Sequence, residues 1–433
     1  MWGLFLCLQH MGYCEIRILR VNCDPHLTTE KIMETYTYQT DAAAKGISKE
    51  GQIVANNWAN RPADERFISL TDLIDVKKNK HNLMTGGLVD VKTSNFKVSA
   101  EETGTDLKQG KIFIEYKDET TNKWFKTEPT NWAFNQVSSL GKAPSSYLRT
   151  LPATLSAENI FWGISQNRNR QFVKPYAAVP GAAAEGTLHA MTGPDYGRIY
   201  DYEVATSVKE AIYNTDFKVP GALTGNNTYD PFVPVTAATT TLFASDRDIF
   251  LFLVDDLNPI EVGKLKNGDP DLMFRGFYVS NSEVGAKSFR LGTMYLRGIC
   301  MNRCLWGVEN FQEIKINHTK FALDRFRDEV APALKVYSSG NSNDLIEGVQ
   351  KAKAQKIAEN DQEMLEYFQK RVGLSQRMSQ QALDRHLEEE QEPARTTWDA
   401  VQSITAIARD IPHQDNRFEL EKKAGQLLDK IPA

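Results

Sequence analysis

TLFASDRDIFLFLVDD (residues 241–256), LMFRGFYVSNSEVGAKSFRLGTMYLRGICMNRCLWG (272–307) and FQEIKINHTKFALDRFRDEVAPAL (311–334) decide the fold. Ile249–Val254 is a continuous apolar run, long enough for a strand and short for a helix. The polar turn Ser245-Asp246-Arg247-Asp248 joins it to a partner strand at Thr239–Phe243. Asp255–Pro270 holds Asn-Pro and Asn-Gly-Asp-Pro and reads as a loop. Leu272–Ser280 is aromatic-rich and β-prone, Ser288–Leu305 alternates loosely, and Phe311–Asn317 alternates in period two with an irregularity at Gln312-Glu313. A helix follows. The pattern predicts four antiparallel strands and then a helix, and hence an α+β protein: a mixed, mainly antiparallel β core with flanking helices and a helical C-terminal region.

Asn281-Ser282-Glu283-Val284-Gly285 connects two of these strands. It reads either as a tight turn, with Gly285 supplying a positive φ, or as a loop presenting Asn281, Ser282 and Glu283 to a ligand, with His318 beside them. Arg247, Arg275, Arg290, Arg297 and Arg303 recur through the sheet. Ranged on one face they would make a basic groove, with Tyr278, Phe289 and Tyr295 as stacking surfaces; the alternative is cross-strand pairing with acids.

SDRDIFLFLVD, RGFYVSNSEVGAKSF, YLRGICMNRCLWG and INHTKFALDRF together resemble the phage and plasmid family catalogued as domain of unknown function 932. Similarity extends to Trp58–Leu70, Tyr147–Ile160 and Thr397–Leu428. The resemblance implies a setting on mobile elements in a bacterial cytoplasm and no assigned activity. The order of strands and helix is also similar to the core of single-strand annealing proteins.

The chain has 433 residues, 25% of them charged, with a net charge of −5, so a nucleic-acid site would have to be a local patch. The five cysteines are Cys7, Cys14, Cys23, Cys300 and Cys304; an odd number without a secretory signal points to a reducing compartment. No apolar run is long enough to span a membrane. Residues 1–32 read as an over-extended start ahead of Met33, and 34–57 as a flexible arm; 58–338 form the core domain and 339–433 the helical region.

Ser69 caps a helix, residues 86–126 read as strands with a hairpin turn at Asp118–Asn122, and Asn131–Leu140 and Ser156–Gly163 read as helices. Gln166–Tyr176 places Arg168, Arg170 and Lys174 among amides and aromatics: phosphate contacts with base stacking, or a charged edge strand. Ala177–Met191 reads as a long connection, Tyr196–Tyr202 as β-prone, Val204–Asn214 as a helix and Pro220–Pro234 as a loop. Beyond a linker at Ser338–Asn343, helical spacing runs through Leu345, Val349, Ala352, Met364 and Phe368 and resumes after Pro393. This region either packs on the β core or offers a partner surface.

No cofactor, metal site or catalytic constellation reads out. Cys300 and Cys304 in one strand would lie about 13 Å apart, too far for one zinc with His318. Asp246, Asp248, Asp255, Asp256, Glu261 and Glu283 match no nuclease spacing, and no phosphate-cradling glycine motif exists. The expectation is a non-catalytic, mobile-element protein of DNA metabolism that binds single-stranded DNA through Arg168, Arg170, Lys174, Arg247, Arg275, Arg290, Arg297 and Arg303, and that self-associates if it anneals strands. The rivals are a module binding a phage or host protein, and a metal-dependent nuclease.

Overall fold

The computed structural model describes residues 62–85, 91–102, 110–118, 122–166, 172–179, 185–225, 229–306, 313–337 and 343–431. Residues 1–61, which take in the expected over-extended start and arm, lie outside the described residues, as do Arg168, Arg170 and residues 119–121 of the expected hairpin turn.

The N-terminal half builds one sheet in the order β2 (Met84–Thr85), β7 (Phe172–Ala178), β8 (Glu185–Thr192), β6 (Lys123–Pro129), β5 (Gly110–Asp118) and β4 (Phe96–Glu102), with β3 (Val91–Lys92) also on β7. All its pairings are antiparallel except β6 with β8. The alternation in β5 turns Ile112, Ile114 and Tyr116 onto Phe134 and Val137 of α2 (Asn131–Leu140) and Ile160 of α4 (Ala153–Gln166). Thr130 caps α2, accepting from the Ala133 amide at 3.2 Å. Between α2 and α4 lies the short α3 (Ser145–Leu148). A Cβ on Gly163 would lie 1.9 Å from the Gly141 carbonyl oxygen, so α4 crosses the end of α2 backbone to backbone.

The central stretch builds the second sheet, ordered β1 (Glu65–Phe67), β12 (Leu242–Ala244), β13 (Ile249–Lys264), β14 (Pro270–Asn281), β15 (Phe289–Arg297) and β16 (Arg303–Cys304). β9 (Phe217–Lys218) joins β13 and β17 (Ile314–Ile316) joins β15, all antiparallel, while β10 (Ala222–Leu223) and β11 (Tyr229–Asp230) pair with each other. β12, β13, β14 and β15 followed by α6 (Ala322–Tyr337) are the expected strands and helix.

Pleating sorts β13 cleanly. Leu251 and Leu253 face Leu73 of α1 (Leu70–Asn82), Val204 and Val208 of α5 (Asp201–Ala211), and Phe326 of α6. Phe250 and Phe252 face the other way, with Phe274, Tyr278 and Phe418. Ser69 caps α1 as expected, accepting from Asp72 N at 3.1 Å.

The C-terminal helices are α7 (Asn343–Ala354), α8 (Asp361–Tyr367), α9 (Gln376–Glu390), α10 (Thr397–Arg409) and α11 (Gln414–Leu428). They pack on the sheet: Val349, Phe368, Trp398 and Ile404 share a core with Met273, Tyr295, Cys304 and Trp306.

Four local expectations are corrected. Asp255–Pro270 is not all loop: β13 runs to Lys264, and Asn258-Pro259 falls where its register with β14 jumps between Asp255 and Ile260. The bulge ejects the proline, which has no amide to give the ladder. Ser288–Leu305 is not one strand, because the chain reverses between Arg297 and Arg303, with Met301 at φ 56°. Ala177–Met191 is largely the hairpin of β7 and β8. Tyr196–Tyr200 forms no strand; its polar groups are spent on side chains between the sheets, as described next.

Candidate functional site

Asn281 ends β14 fully buried; its Nδ2 donates to the Ile199 carbonyl and to Asp201 Oδ1, both at 2.9 Å. Ser282 Oγ donates to the Arg247 carbonyl at 2.6 Å and accepts from Ala286 N. Glu283 Oε2 accepts from Asp201 N, and its backbone carbonyl accepts from the Arg198 guanidinium. Lys77 lies 3.3 Å from Asp201, and Lys80 3.7 Å from Glu283. Tyr196 donates to the Ser282 carbonyl at 2.9 Å and stacks on His318, whose Nδ1 sits 3.0 Å from the Gly197 carbonyl.

The loop residues and His318 therefore do come together, threaded by 192–201, but Asn281, Ser282 and Glu283 point inward and are paired. Of the two sequence readings, the geometry is that of the turn, with Gly285 at φ 89° as required. The structure adds a clasp, since Arg198 also lies 4.0 Å from the Tyr176 ring centroid of the first sheet. Burial, reinforced by the Glu283 charge, raises the Asp201 carboxyl to about 7. Burial lowers His318 to about 4 and holds His189 well below its usual value.

The other side of the same loop walls a cleft of about 770 Å³. Trp132, Asn135, Gln136 and Ser139, spaced 3, 4 and 7 along α2, line one side. Thr192, Gly193, Tyr196 and Gly285 line the other. Trp132 Nε1 and Gln136 Nε2 both donate to the Val284 carbonyl, at 3.0 and 2.9 Å, while Gln136 Oε1 accepts from Met191 N. These bonds fix the walls. Among the described residues no Asp or Glu lines the cleft, in a chain of net charge −5.

Lys142 lines one end at φ 55°, where glycine is usual after a helix. Arg247, on the 245–248 turn, sits 5.6 Å from the Trp132 ring centroid. Arg149 Nη2 bonds Asn135 Oδ1 at 2.7 Å and Asn131 Oδ1 at 2.9 Å. The sequence reading named Arg247 but not Lys142, Arg149 or Trp132. The i, i+3, i+4, i+7 stripe on α2 was a signal in reach; the approach of Arg149 and Lys142 to it was not.

The remaining arginines do not form one basic face. Arg290 pairs across the strands with Ser280 and Arg303 with Leu296, on the Phe252 face; Arg275 and Arg297 pair with Tyr295 and Met273, on the opposite face. The separation of seven between Arg290 and Arg297 dictates this, since an odd step along a strand reverses the side. Arg297 is buried between Asp271 at 2.9 Å and Glu390 at 2.5 Å. Arg303 is buried against Glu421 at 2.8 Å, 3.7 Å from the Phe252 ring centroid. Arg290 meets Glu313 at 2.6 Å, which also takes Lys422 and the Tyr278 hydroxyl. Arg275 is half-buried beside Asp255 in register, and the half-buried Lys174 sits on β7.

Cys300 and Cys304 are free and buried, and the hairpin brings both sulfurs to the amide of Gln402, 3.8 Å from Oε1 and Nε2 respectively. The separation expected for a straight strand is thus wrong. Burial raises their thiols to about 11 and 12, which makes them poor nucleophiles, and His318 is engaged with Gly197 and Tyr196 instead. The acidic residues scatter to separate partners: Asp256 to Lys218, Gly221 and Tyr229, Asp248 to Ser245, and Asp255 to Asn258. Among the described residues no three His, Cys, Asp or Glu side chains are grouped to hold a metal ion, and no helix is long and apolar enough to cross a membrane.

No curated protein and no solved structure matches the chain. A family model does match, over residues 236–416, a span that begins just before β12 and ends in α11, narrower than the reach of the motifs in the sequence. It takes in the central strands, the Asn281–Gly285 turn and most of the C-terminal helices, and leaves the first sheet and α2 outside. Over this region the chain matches the family described as domain of unknown function (DUF932).

Proposed function

We propose that the protein binds single-stranded DNA, without chemical turnover, in the cleft beside α2, as part of DNA metabolism on a phage or plasmid in a bacterial cytoplasm. The observation that carries this reading is the composition of the cleft. It is open and aromatic at Trp132 and Tyr196, lined by amides and hydroxyls, free of carboxylates among the described residues, and bracketed by Lys142, Arg149 and Arg247. Cations hold a phosphate backbone and aromatic faces take bases irrespective of sequence. Moving the site from the central arginines to this cleft also removes the difficulty that Arg297 and Arg303 are already neutralised. The mobile-element setting rests on the family resemblance.

Fluorescence anisotropy with labelled single- and double-stranded oligonucleotides, over a salt series with and without magnesium, tests it. Salt-sensitive binding that favours the single strand and weakens in Lys142→Glu supports the reading. Absence of binding at low salt ends it, and cleavage that requires magnesium would replace it with the nuclease.

A second reading, a protein-binding or self-associating module, is favoured by α4. Leu155 and Trp162 lie seven residues apart on one face of it, and Trp162 is 69% exposed, with the exposed Phe161 next to it. Sedimentation equilibrium of the wild type and Trp162→Ser decides: a concentration-dependent mass lost in the variant supports self-association through α4.

A further inference from the structure

Arg149 is held in an unusual way. Its guanidinium is half-buried, 5.1 Å from the Phe134 ring centroid. All three of its hydrogen bonds leave from Nη2, to Asn135 Oδ1, Asn131 Oδ1 and the Asn131 carbonyl. Every acceptor is neutral. Among the described residues the buried Nε has no partner and Nη1 carries no hydrogen bond. An arginine placed only to stabilise a fold is normally met by a carboxylate when removed from water, as Arg297 and Arg303 are.

The neighbouring charge makes the deficit larger. Arg247 leans over Trp132, the residue between Asn131 and Ala133. Its nearest carboxylate, Asp246, is 3.7 Å from Nε, too far to hydrogen-bond. Burial, and then the like charge of Arg247, oppose the protonated form of Arg149. Two guanidiniums are thus gathered about the first turn of α2 with one loosely placed acid, and their open donors suit a tetrahedral oxyanion bidentately.

We propose that Arg149 and Arg247 form a phosphate-binding subsite at the Trp132 end of the cleft, taking a phosphodiester of a nucleic-acid strand or the phosphate of a free nucleotide. The identity of the ligand rests on the nucleic-acid reading above; the subsite itself rests on the two arginines.

The experiment uses the full chain labelled with 5-fluorotryptophan, the Trp132 ¹⁹F resonance being assigned with Trp132→Phe. Inorganic phosphate, thymidine monophosphate and a thymidine oligonucleotide are titrated in turn, with chloride at matched ionic strength as control. We expect a saturable shift of the Trp132 resonance, weakened at least about tenfold by Arg149→Lys and by Arg247→Gln. Should Arg149→Lys unfold, the partly exposed Arg247→Gln decides alone. No shift with any of the three ligands, or shifts indifferent to both variants, overturns the subsite. Phosphate and mononucleotide binding without oligonucleotide binding supports the subsite and defeats the DNA reading. Salt-sensitive oligonucleotide binding that shifts Trp132 but is indifferent to both variants does the reverse.

Discussion

The arginines of the second sheet and those beside α2 are the same residue type in opposite circumstances. Arg297 and Arg303 are 3% and 2% exposed, each against carboxylates. Arg149 is met by amides alone, and Arg247 by one acid beyond bonding distance. A guanidinium with its counter-charge built in is complete, and its removal strands a buried acid. One without a counter-charge retains capacity for an anion from outside. The partner's chemistry, more than burial, separates arginines that hold the fold from arginines available for function.

The comparison is broken most severely by removing a complete pair. Arg297→Ala leaves the buried Asp271 and the partly exposed Glu390 without their shared guanidinium, with Lys353, among the described residues, still beside Asp271. We expect a loss of about 3–5 kcal/mol in urea unfolding; a change under 1 kcal/mol would mean the pair is not a structural one. Arg247→Gln should leave unfolding within about 0.5 kcal/mol of wild type, and an equal loss at both sites would erase the distinction drawn here.

The clasp between the sheets gives a smaller effect, visible in pH. His318 is held at about 4 in the folded chain, by burial first. An unfolded histidine near 6.5 binds a proton over a range where the folded one does not. Stability is therefore fully present above about 6.5 and falls as pH drops from there towards 4, by on the order of 1–3 kcal/mol. His318→Gln should flatten this fall in urea titrations between pH 4 and 8. Asp201, raised to about 7, titrates in the same window with the opposite sign, so Asp201→Asn should steepen it. A pH profile unchanged in both variants would contradict the burial assigned to the clasp.

Gly285→Ala tests the wall shared by clasp and cleft. The position is at φ 89°, and an added Cβ would meet Gln136 Nε2 at 3.4 Å, so backbone strain dominates over crowding. A loss of about 1–2 kcal/mol is expected, read by thermal unfolding; no loss would show the turn relaxing to another conformation. Least disturbing to the fold is Lys142→Glu, an exposed change whose side chain has no bonded partner among the described residues. Stability should be unaltered, while oligonucleotide affinity drops by about tenfold and the salt slope lessens. Unaltered affinity would detach the cleft from nucleic acid.

Much of the fold was legible because local rules suffice where an element's partner is near in sequence. Ser69 announces its helix, the Asn131–Leu140 boundaries come out to the residue, and the apolar run at 249–254 is a buried strand. The arginine groove misled because five residues were judged by type without counting parity between them. Asn258-Pro259 misled because a bulge and a loop share a sequence signal.

By itself, then, the sequence determined the central strands and the helix after them, the Ser69 cap and the likeness to the family, all properties of short range or of motif. The tertiary structure alone decided which charges are spent. Lys77 meets Asp201, Arg303 meets Glu421 and Arg149 meets Asn135 across separations that no periodicity records. The free energy of a charge is set by what surrounds it within a few ångströms, and that neighbourhood exists only once the two sheets and their helices have closed on one another.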